Sequence, residues 1–499
     1  MANSEAWWLC AALAASLVFY LATSRRTQGG RPLPPGPTPL PLIGNLLSLG
    51  GTFHQTLAKL AGVHGPVMLL KLGLSNMVVI SSRDAAREAY TKHDQRLAAH
   101  AVPDSFRARG FSEYSMGFMQ SSDPQWKSLR GIQATHIFSP RSLEAVRGIR
   151  ERKVGEIVGY FRKHAGKEVL FREVVYMGML NLLSNTFFSI DMADMGSKSA
   201  HGLQHLVEDI IDRVSRPNVS DFFPFLRRLD LQGLRRQTGK CLDSAYSILD
   251  GIIDRRLEHN RAGKDEHGDY LDALLKLMSD AKISRYQVRQ MLFDVFVAGA
   301  DTVSATVEWV MAELLHNPSA MAKVRAEVTD ALGGKEAVEE SDAARLTYLQ
   351  CTLKEVMRLH PVGPILIPHF AAEDSVEVSG YTVPKGSTVI FNAWAIMRDP
   401  AAWERPDEFL PERFLQRSPQ PDYRGKDYEF IPFGSGRRLC PGLPMAERLV
   451  PYIVVSLLHA FDWQLPGSMA AEEMDMTERF STVNLLAVPL KAVPLEAAR

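Results

Sequence analysis

The sequence predicts a mainly helical protein with small β-sheets, preceded by one N-terminal transmembrane helix. Three observations support this fold class. Helical periodicity dominates from Ser139 to His360, and only short β-branched runs such as Val67–Leu72 indicate strands. Residues 6–24 form an uncharged segment near the N-terminus. Since no composition change marks a boundary beyond residue 41, we expect residues 42–499 to form one large domain.

The composition excludes several classes of protein. The 57 Lys and Arg residues balance the 57 Asp and Glu residues, whereas disordered tails and nucleic-acid-binding proteins normally carry an excess of one charge. The chain has four cysteines, which are too few and too widely spaced for a disulfide framework or a zinc site: Cys10, Cys241, Cys351 and Cys440. We therefore expect a chain that faces a reducing compartment and does not bind nucleic acid.

The uncharged segment 6–24 has the length of a membrane anchor. Its 19 residues would span about 28 Å as a helix, close to the thickness of the hydrocarbon core of a bilayer. Glu5 precedes it, and Arg25 and Arg26 follow it, which is unlike a cleaved signal peptide and favours a cytosolic body. A buried core helix is the alternative, but the terminal position favours a single-pass anchor.

A proline-rich segment, residues 31–41, separates the anchor from the body. Its six prolines forbid a helix and favour a stiff, extended chain. We interpret this segment as a hinge that sets the distance between the body and the membrane. A ligand for an SH3-type domain is the competing interpretation.

Short strands are predicted near the start of the body and again late in the chain. Val67–Leu72 and residues 77–81 are rich in β-branched and other apolar residues. Residues 381–390 have the pattern of a hairpin that turns at Lys385 and Gly386.

One helix is long enough to cross the whole body. Ser284 and Gln287 form a capping-box pattern at its start, and Pro318 follows its end at Asn317. A helix of this length, roughly 33 residues, would extend for about 50 Å. It is therefore expected to be the central helix of the domain.

The middle of this helix contains the sequence Ala298-Gly299-Ala300-Asp301-Thr302. Glycine costs about 1 kcal/mol relative to alanine inside a helix, and a carboxylate among apolar neighbours is costly unless it is paired or used. The Thr302 hydroxyl can donate a hydrogen bond to the carbonyl of Ala298. These residues form either a packing glycine with a back-bonded threonine, or a ligand groove in which an acid and a hydroxyl pass protons.

Residues 433–442, Phe-Gly-Ser-Gly-Arg-Arg-Leu-Cys-Pro-Gly, contain the strongest motif. The glycines permit a tight turn around Cys440, and Pro441 is placed to open the following helix. We expect the helix N-terminus to lower the pKa of the Cys440 thiol. An inert buried cysteine is one interpretation. The other is an axial ligand of an iron porphyrin, with Arg438 placed to pair with a propionate.

At this point the chain resembles the cytochrome P450 superfamily of haem-thiolate monooxygenases. Five positions match its cysteine-loop signature: Phe433, Gly436, Arg438, Cys440 and Gly442. Further family motifs occur in the expected order, namely Trp126 with Arg130, Asp301 with Thr302, Glu355 with Arg358, and Arg413 in Pro411-Glu-Arg-Phe414. The anchor and the hinge match the microsomal members, so the resemblance covers the whole chain.

The resemblance implies a haem b bound through the Cys440 thiolate, with Asp301 and Thr302 as the proton-relay residues. It implies further haem contacts from Trp126, Arg130, His369, Phe433 and Arg438. Glu355, Arg358 and Arg413 would form a structural network behind the cysteine loop. One departure is Val303, where many relatives have a hydroxyl residue.

The resemblance also implies partners and a location. The chain contains no dinucleotide fingerprint, so electrons from NADPH are expected through a separate NADPH-cytochrome P450 reductase, with cytochrome b5 as a further donor. O2, a lipophilic small molecule and membrane lipid complete the expected partners. The implied location is the endoplasmic reticulum membrane, with the catalytic domain in the cytosol.

By family position, the substrate pocket is expected to be apolar and therefore to take a lipophilic molecule. Its expected lining comprises the loop around residues 106–118 together with Phe296, Ala300, Val362, Gly363, Ile365, Val483 and Leu485. Residues 297–301 and 391–400 resemble the plant family that includes geraniol hydroxylases, and residues 122–126 and 218–222 resemble its grass branch. This resemblance implies hydroxylation of a labdane-related diterpene, of the ent-cassadiene or ent-sandaracopimaradiene type, in phytoalexin biosynthesis.

Three other functions stay open from the sequence. A monoterpenoid alcohol hydroxylase of the geraniol type is the nearest. A haem-thiolate isomerase or dehydratase that acts on a peroxide without a reductase is the second, although the presence of Asp301 and Thr302 argues against it. The third, a haem-free anchored lipid-binding protein, is disfavoured by the intact loop around Cys440.

Overall fold

The computed structural model describes residues 27–28, 31–192, 202–263, 267–374, 376–467 and 469–497. The predicted anchor, residues 6–24, lies outside the described residues. Within them, one helix, Arg285–His316, is long and apolar enough to cross a membrane, but 61% of its most apolar window is buried inside the body. That burial is typical of a core helix.

The described part of the chain contains twelve helices of ten residues or more. They are α1 (Phe53–His64), α2 (Arg83–Leu97), α3 (Pro124–His136), α4 (Arg147–Lys163), α5 (Phe171–Phe188), α6 (Gly202–Ser215), α7 (Leu234–Arg261), α8 (Tyr270–Ser279), α9 (Arg285–His316), α10 (Pro318–Leu332), α11 (Thr347–Leu359) and α12 (Leu443–Ala460). Shorter helices are Phe111–Tyr114, Pro140–Ala145, Val219–Phe222, Glu340–Ala343, Ala393–Ile396 and Glu412–Leu415. Turns of 3₁₀ helix are Leu46–Ser48, Asp104–Gly110, Pro224–Leu229, Gly436–Arg438 and Ala471–Glu473.

The strands are short and belong to small sheets. They are β1 (Thr27–Gln28), β2 (Arg31–Pro32), β3 (Val67–Leu72), β4 (Ser75–Ile80), β5 (Ala99–His100), β6 (Val169–Leu170), β7 (His369–Phe370), β8 (Val376–Val378), β9 (Tyr381–Val383), β10 (Thr388–Phe391), β11 (Phe461–Gln464), β12 (Glu478–Phe480), β13 (Asn484–Leu486) and β14 (Lys491–Glu496). The largest described sheet has the order β3-β4-β10-β7-β5. The prediction of a mainly helical fold with small sheets is confirmed.

The long helix α9 begins where its sequence predicts. The Ser284 side chain accepts a hydrogen bond from the Gln287 backbone, and the Gln287 side chain accepts one from the Ser284 backbone. The helix runs for 32 residues to His316, and Pro318 occupies the first turn of α10. The local capping chemistry therefore sets both ends of α9.

Helix α9 runs through the largest hydrophobic core cluster, where it packs along α5 and also contacts α11 and α12. Close packing against α5 explains one glycine. A Cβ atom on Gly299 would lie 2.8 Å from Cδ1 of Leu183. This contact supports the interpretation of Gly299 as a packing residue, because a side chain there would force the Leu183 side chain to move.

The early strands are as predicted, but the prediction of a hairpin at residues 381–390 is wrong. β9 pairs with β8, whereas β10 joins the largest sheet, parallel to β4 and antiparallel to β7. The turn between them forms backbone hydrogen bonds with Ala371, outside the predicted hairpin. The Gly386 N–H donates to the carbonyl of Ala371 (2.8 Å), and the Ala371 N–H donates to the carbonyl of Ser387 (2.9 Å). These bonds to Ala371 direct the chain into a second sheet, so β9 and β10 do not pair with each other.

The proline-rich segment contains no helix, as predicted, and it lies against the body. The carbonyl of Pro35 accepts a hydrogen bond from the Leu69 backbone in β3 (2.8 Å), and that of Pro37 accepts one from the Asn45 side chain (3.1 Å). These bonds attach the segment to the largest sheet.

Candidate active site

The loop that carries Cys440 is closed by its own backbone and joins directly to α12. The Cys440 N–H donates to the carbonyl of Phe433 (3.0 Å). Gly436 has a φ of 63°, and a Cβ there would lie 2.2 Å from Oδ1 of Asp94, so only glycine fits this turn. The helix begins at Leu443 after Gly442, with a proline in its first turn. Pro441 therefore lies just before the helix and does not open it, contrary to our expectation.

The pKa of the Cys440 thiol differs from the sequence expectation. Burial raises it, and the backbone N–H groups of Gly442 and Leu443, together with the charge of Arg130, offset this only in part. The prediction of a lowered pKa is wrong, because desolvation of the thiolate outweighs the helix N-terminus. Binding of a metal ion would remove the proton, since a coordinating thiol is deprotonated.

Two half-buried arginines flank the Cys440 loop, and neither forms a salt bridge with a carboxylate among the described residues. Arg130, on α3, donates to the carbonyl of Leu439 (2.5 Å). Arg438 donates to three carbonyls, which belong to Ala98 (2.6 Å), Met116 (2.9 Å) and Met119. Burial and the neighbouring Arg130 lower the pKa of Arg438 to about 10. Two half-buried cations that share no salt bridge with a carboxylate favour a ligand that brings negative charge.

Trp126 and His369 lie beside Arg438 in the region that flanks the Cys440 loop. The Trp126 indole donates to the carbonyl of Met116 (3.1 Å), and the Arg438 guanidinium lies 4.7 Å from its ring centroid. His369 donates from Nδ1 to the carbonyl of Leu97 (2.7 Å), and burial lowers its pKa to about 4. The structure therefore brings together three of the residues that the sequence predicts as haem contacts: Trp126, His369 and Arg438.

His100 belongs to the same region, but sequence reasoning missed it. Its Nδ1 donates to the carbonyl of Gly117 (2.5 Å), and its ring lies 5.0 Å from that of His369. Burial, with the charges of His369 and Arg438, places its pKa well below the ordinary value. No sequence pattern marks His100, because it becomes a neighbour of His369 only when β5 pairs with the distant strand β7.

The central helix α9 exposes one face in the middle of its buried length. Ala298 and Thr302 are exposed, although the residues around them are mostly buried. Thr302 donates its hydroxyl to the carbonyl of Ala298 (2.9 Å), so the expected back-bond is present. These positions are one helical turn apart and therefore present an open face with a hydroxyl group on it.

Asp301 lies beside this face and is paired. Its carboxylate accepts from Nη1 of Arg172, on α5, at 2.8 Å, and Arg172 also lies 3.7 Å from the buried Glu308. Burial raises the pKa of Glu308 to about 7. Arg172 was missed because nothing in the sequence relates α5 to α9, so its pairing with Asp301 depends on the packing of the two helices.

The expected pocket residues fall into two groups. Phe296 and Ala300 are buried on the side of α9 opposite Thr302, and the Phe296 ring lies 6.4 Å from that of Phe188 on α5. The structure therefore does not bring Phe296 and Ala300 to the open face. The residues after α11 and in the β12–β13 hairpin are partly exposed, except for the buried Leu485: Val362, Gly363, Ile365 and Val483.

The predicted network of Glu355, Arg358 and Arg413 is assembled. Glu355 is fully buried and accepts from Arg358 at 2.8 and 2.9 Å and from Arg413 at 2.9 Å. The Leu410 backbone donates a fourth hydrogen bond at 2.9 Å. The three charged residues join α11 to the segment that precedes the Cys440 loop.

These features define a haem-thiolate site. Within the described residues, no group of three His, Cys, Asp or Glu side chains could hold a metal ion, so a porphyrin that needs one protein ligand fits better than a protein-ligated metal. Cys440 would be that ligand, and the half-buried cations Arg130 and Arg438 fit the two propionates. The bound haem would supply O2 activation and insertion of one oxygen atom into a C–H bond.

The comparisons agree with this assignment. The family model "Cytochrome P450" matches residues 34–489, and the chain belongs to this family of monooxygenases. Membership implies haem ligated by a cysteine thiolate, a redox partner, O2 and a small-molecule substrate. A solved zebra fish cytochrome P450 with progesterone superimposes with a TM-score of 0.75 at 25% identity, over 90% of this chain and 100% of that one.

Curated plant proteins are more similar in sequence. The chain is 68% identical to "Oryzalexin E synthase" of Oryza sativa subsp. japonica, over 99% of this chain and 98% of the relative. It is 64% identical to "Ent-cassadiene C11-alpha-hydroxylase 1" of the same organism, over 99% of both. Identity to "Geraniol 8-hydroxylase" of Catharanthus roseus is 43%, over 96% of this chain and 97% of the relative.

Proposed function

We propose that this protein hydroxylates a labdane-related diterpene, of the ent-cassadiene or ent-sandaracopimaradiene type, in phytoalexin biosynthesis. The observation that carries the proposal is whole-chain similarity: 68% and 64% identity to rice proteins named for oryzalexin and ent-cassadiene chemistry, against 43% for a geraniol hydroxylase. Geraniol-type hydroxylation is the second candidate because that relative also aligns over 96% of this chain.

The chemistry of the lining supports a hydrocarbon substrate. Val362, Gly363, Ile365 and Val483 carry no polar side-chain atom, and Ala298 is the apolar neighbour of Thr302 on the open face of α9. A pocket of this kind recognises shape and apolar area, and it has no charge to hold an acid or an amine. A diterpene with no more than one hydroxyl group fits that description.

Roles follow for the site residues. Cys440 is the iron ligand, and the haem is held by Trp126, Arg130, His369, Phe433 and Arg438. The Thr302 hydroxyl lies on the open face and is the group that would pass protons across that face. Asp301, held by Arg172, is the acid that supplies them.

The electron supply and location complete the proposal. Electrons come from NADPH through NADPH-cytochrome P450 reductase, with cytochrome b5 as a further donor. Residues 6–24 anchor the chain in the endoplasmic reticulum membrane, residues 31–41 form the hinge, and residues 42–499 form the cytosolic catalytic domain.

The test is to incubate microsomes that contain the chain and the reductase with ent-cassadiene, ent-sandaracopimaradiene and geraniol. We expect NADPH-dependent hydroxylation of a diterpene and a red-shifted CO-bound Soret band that Cys440→Ala lacks. Exclusive turnover of geraniol would replace the diterpene proposal. Conversion of a terpene peroxide without NADPH would instead indicate an isomerase.

A further inference from the structure

A buried charged cluster lies between the two loops that are proposed to line the substrate pocket. It consists of Glu313 on α9, His360 at the end of α11, and Glu478 on β12, and we call these three residues the Glu478 cluster. Side-chain exposures are 7%, 9% and 5% respectively. None of the three belongs to the haem site or to the Glu355 network.

The Glu478 carboxylate is the centre of the cluster. It accepts five hydrogen bonds, from side chains of four different elements: His54 (2.8 Å), Gln55 (2.9 Å), His360 (3.1 Å), Trp394 (3.3 Å) and Asn484 (2.9 Å). Although burial opposes ionisation, these donors hold the pKa of Glu478 far below its ordinary value. One ionised carboxylate therefore connects α1, the end of α11, the short helix at 393–396 and the β12–β13 hairpin.

His360 lies between two carboxylates. Its Nδ1 bonds Glu478 at 3.1 Å, and its Nε2 bonds Glu313 at 2.7 Å. Both ring nitrogens therefore face carboxylate oxygens, and although burial opposes it, these two partners raise the pKa of His360 above its ordinary value. The ring also stacks on Trp309 at 3.8 Å, with an interplanar angle of 1°.

The cluster is connected to both substrate loops by hydrogen bonds. Asn484, which donates its side chain to Glu478, also donates its backbone N–H to the carbonyl of Val362 (2.9 Å). The Trp309 indole donates to the carbonyl of Asn484 (3.0 Å). Val483 precedes Asn484 in the hairpin, and Val362 lies two residues after His360. The side chains of both loops are thus held in one register relative to α9.

A buried ion pair can contribute less net stability than apolar packing, and in some proteins buried charged groups instead select one arrangement of the chain. We propose that the Glu478 cluster is a positioning device that determines which carbon of the substrate is oxidised. It acts by fixing the distance between the loop after His360 and the tip of the β12–β13 hairpin. The inference rests on the proposed function, because it assumes a substrate that contacts both loops.

The experiment compares wild-type and Glu478→Gln holoenzymes with the reductase, on whichever terpene of the test panel the wild type oxidises. Glutamine keeps the size of the side chain but replaces one acceptor oxygen with an amide that donates. We expect a normal CO-bound Soret band, new regioisomers, and a turnover loss on the order of tenfold to hundredfold, because a 1 Å misplacement can have that effect. More NADPH should also be consumed for each product formed.

A matched control is Glu340→Gln, which breaks the buried Arg150–Glu340 pair (2.6 Å) in the region where α4 meets α12. It is expected to lower stability without changing the product ratio. If Glu478→Gln does not bind haem, Glu313→Gln removes only the outer carboxylate and should shift the ratio less. An unchanged ratio in a folded Glu478 or Glu313 variant, or an equal shift in Glu340→Gln, would overturn the inference. Oxidation of geraniol alone by the wild type would contradict the proposed function and leave this comparison intact.

Discussion

Replacement of Glu355 with glutamine is predicted to prevent stable haem incorporation. The fully buried carboxylate accepts two hydrogen bonds from Arg358, one from Arg413 and one from the Leu410 backbone. Glutamine has one acceptor oxygen, and its amide hydrogens would face a guanidinium. Two buried cations would then remain without a counter-charge.

The magnitude follows from the burial of the network. Loss of one partner from a buried ion pair typically costs about 3–5 kcal/mol. The side chain of Arg358 is also fully buried, so solvent cannot compensate, and the upper part of that range is expected. At 1.4 kcal/mol per factor of ten, this is a shift of roughly two to three and a half powers of ten in the folding equilibrium. Because total stability is about 5–15 kcal/mol, a large share would be lost.

The assay measures the CO-bound Soret absorbance per milligram of purified protein, together with thermal unfolding. The control is Glu168→Gln, whose exposed pair with Lys491 should contribute between about 0 and 1 kcal/mol. Full haem content and an unchanged unfolding midpoint in Glu355→Gln would show that the network is dispensable, and the reasoning from buried charge would then be incorrect.

Three other changes test separate parts of the site. Thr302→Ala should keep the CO-bound Soret band but release more peroxide per NADPH, since it removes the hydroxyl from the open face of α9; unchanged coupling would exclude the relay role. Arg438→Gln should speed haem transfer to apomyoglobin by about ten- to a hundredfold, the value of a hydrogen bond to a charged group, and an unaltered transfer rate would argue against propionate binding. Gly299→Val should destabilise the protein by about 1–3 kcal/mol by overpacking against Leu183, and a raised unfolding midpoint would contradict the close-packing argument.

Local chemistry explains which parts of the fold were predictable. The ends of α9 follow from the Ser284–Gln287 box and from Pro318, because these residues satisfy or block backbone hydrogen bonds within one turn. The prediction of a β9–β10 hairpin was wrong because strand pairing is not a local property. A turn at Gly386 can be read locally, but the partner of each strand depends on residues far away, such as Ala371.

The candidate site shows the same division. The loop around Cys440 is predictable because its ten-residue pattern is specific, and the Glu355 network is predictable because its motifs occur together with that loop in the expected order. Helical spacing places Phe296 and Thr302 on different faces of α9, but it does not reveal which of these faces is exposed. It also does not reveal Arg172 beside Asp301, because that pair requires α5 to pack on α9.

The sequence by itself determined the family of this protein, the loop around Cys440 that is the candidate ligand, and the central helix, because each depends on a few neighbouring residues. Only the tertiary structure decided the direction in which burial shifts the pKa of the Cys440 thiol, the partner of Asp301 and the existence of the Glu478 cluster. These properties depend on desolvation and on charges brought together across long stretches of chain. Glu478 and His54, 424 residues apart, have no relationship until the fold places them 2.8 Å from each other.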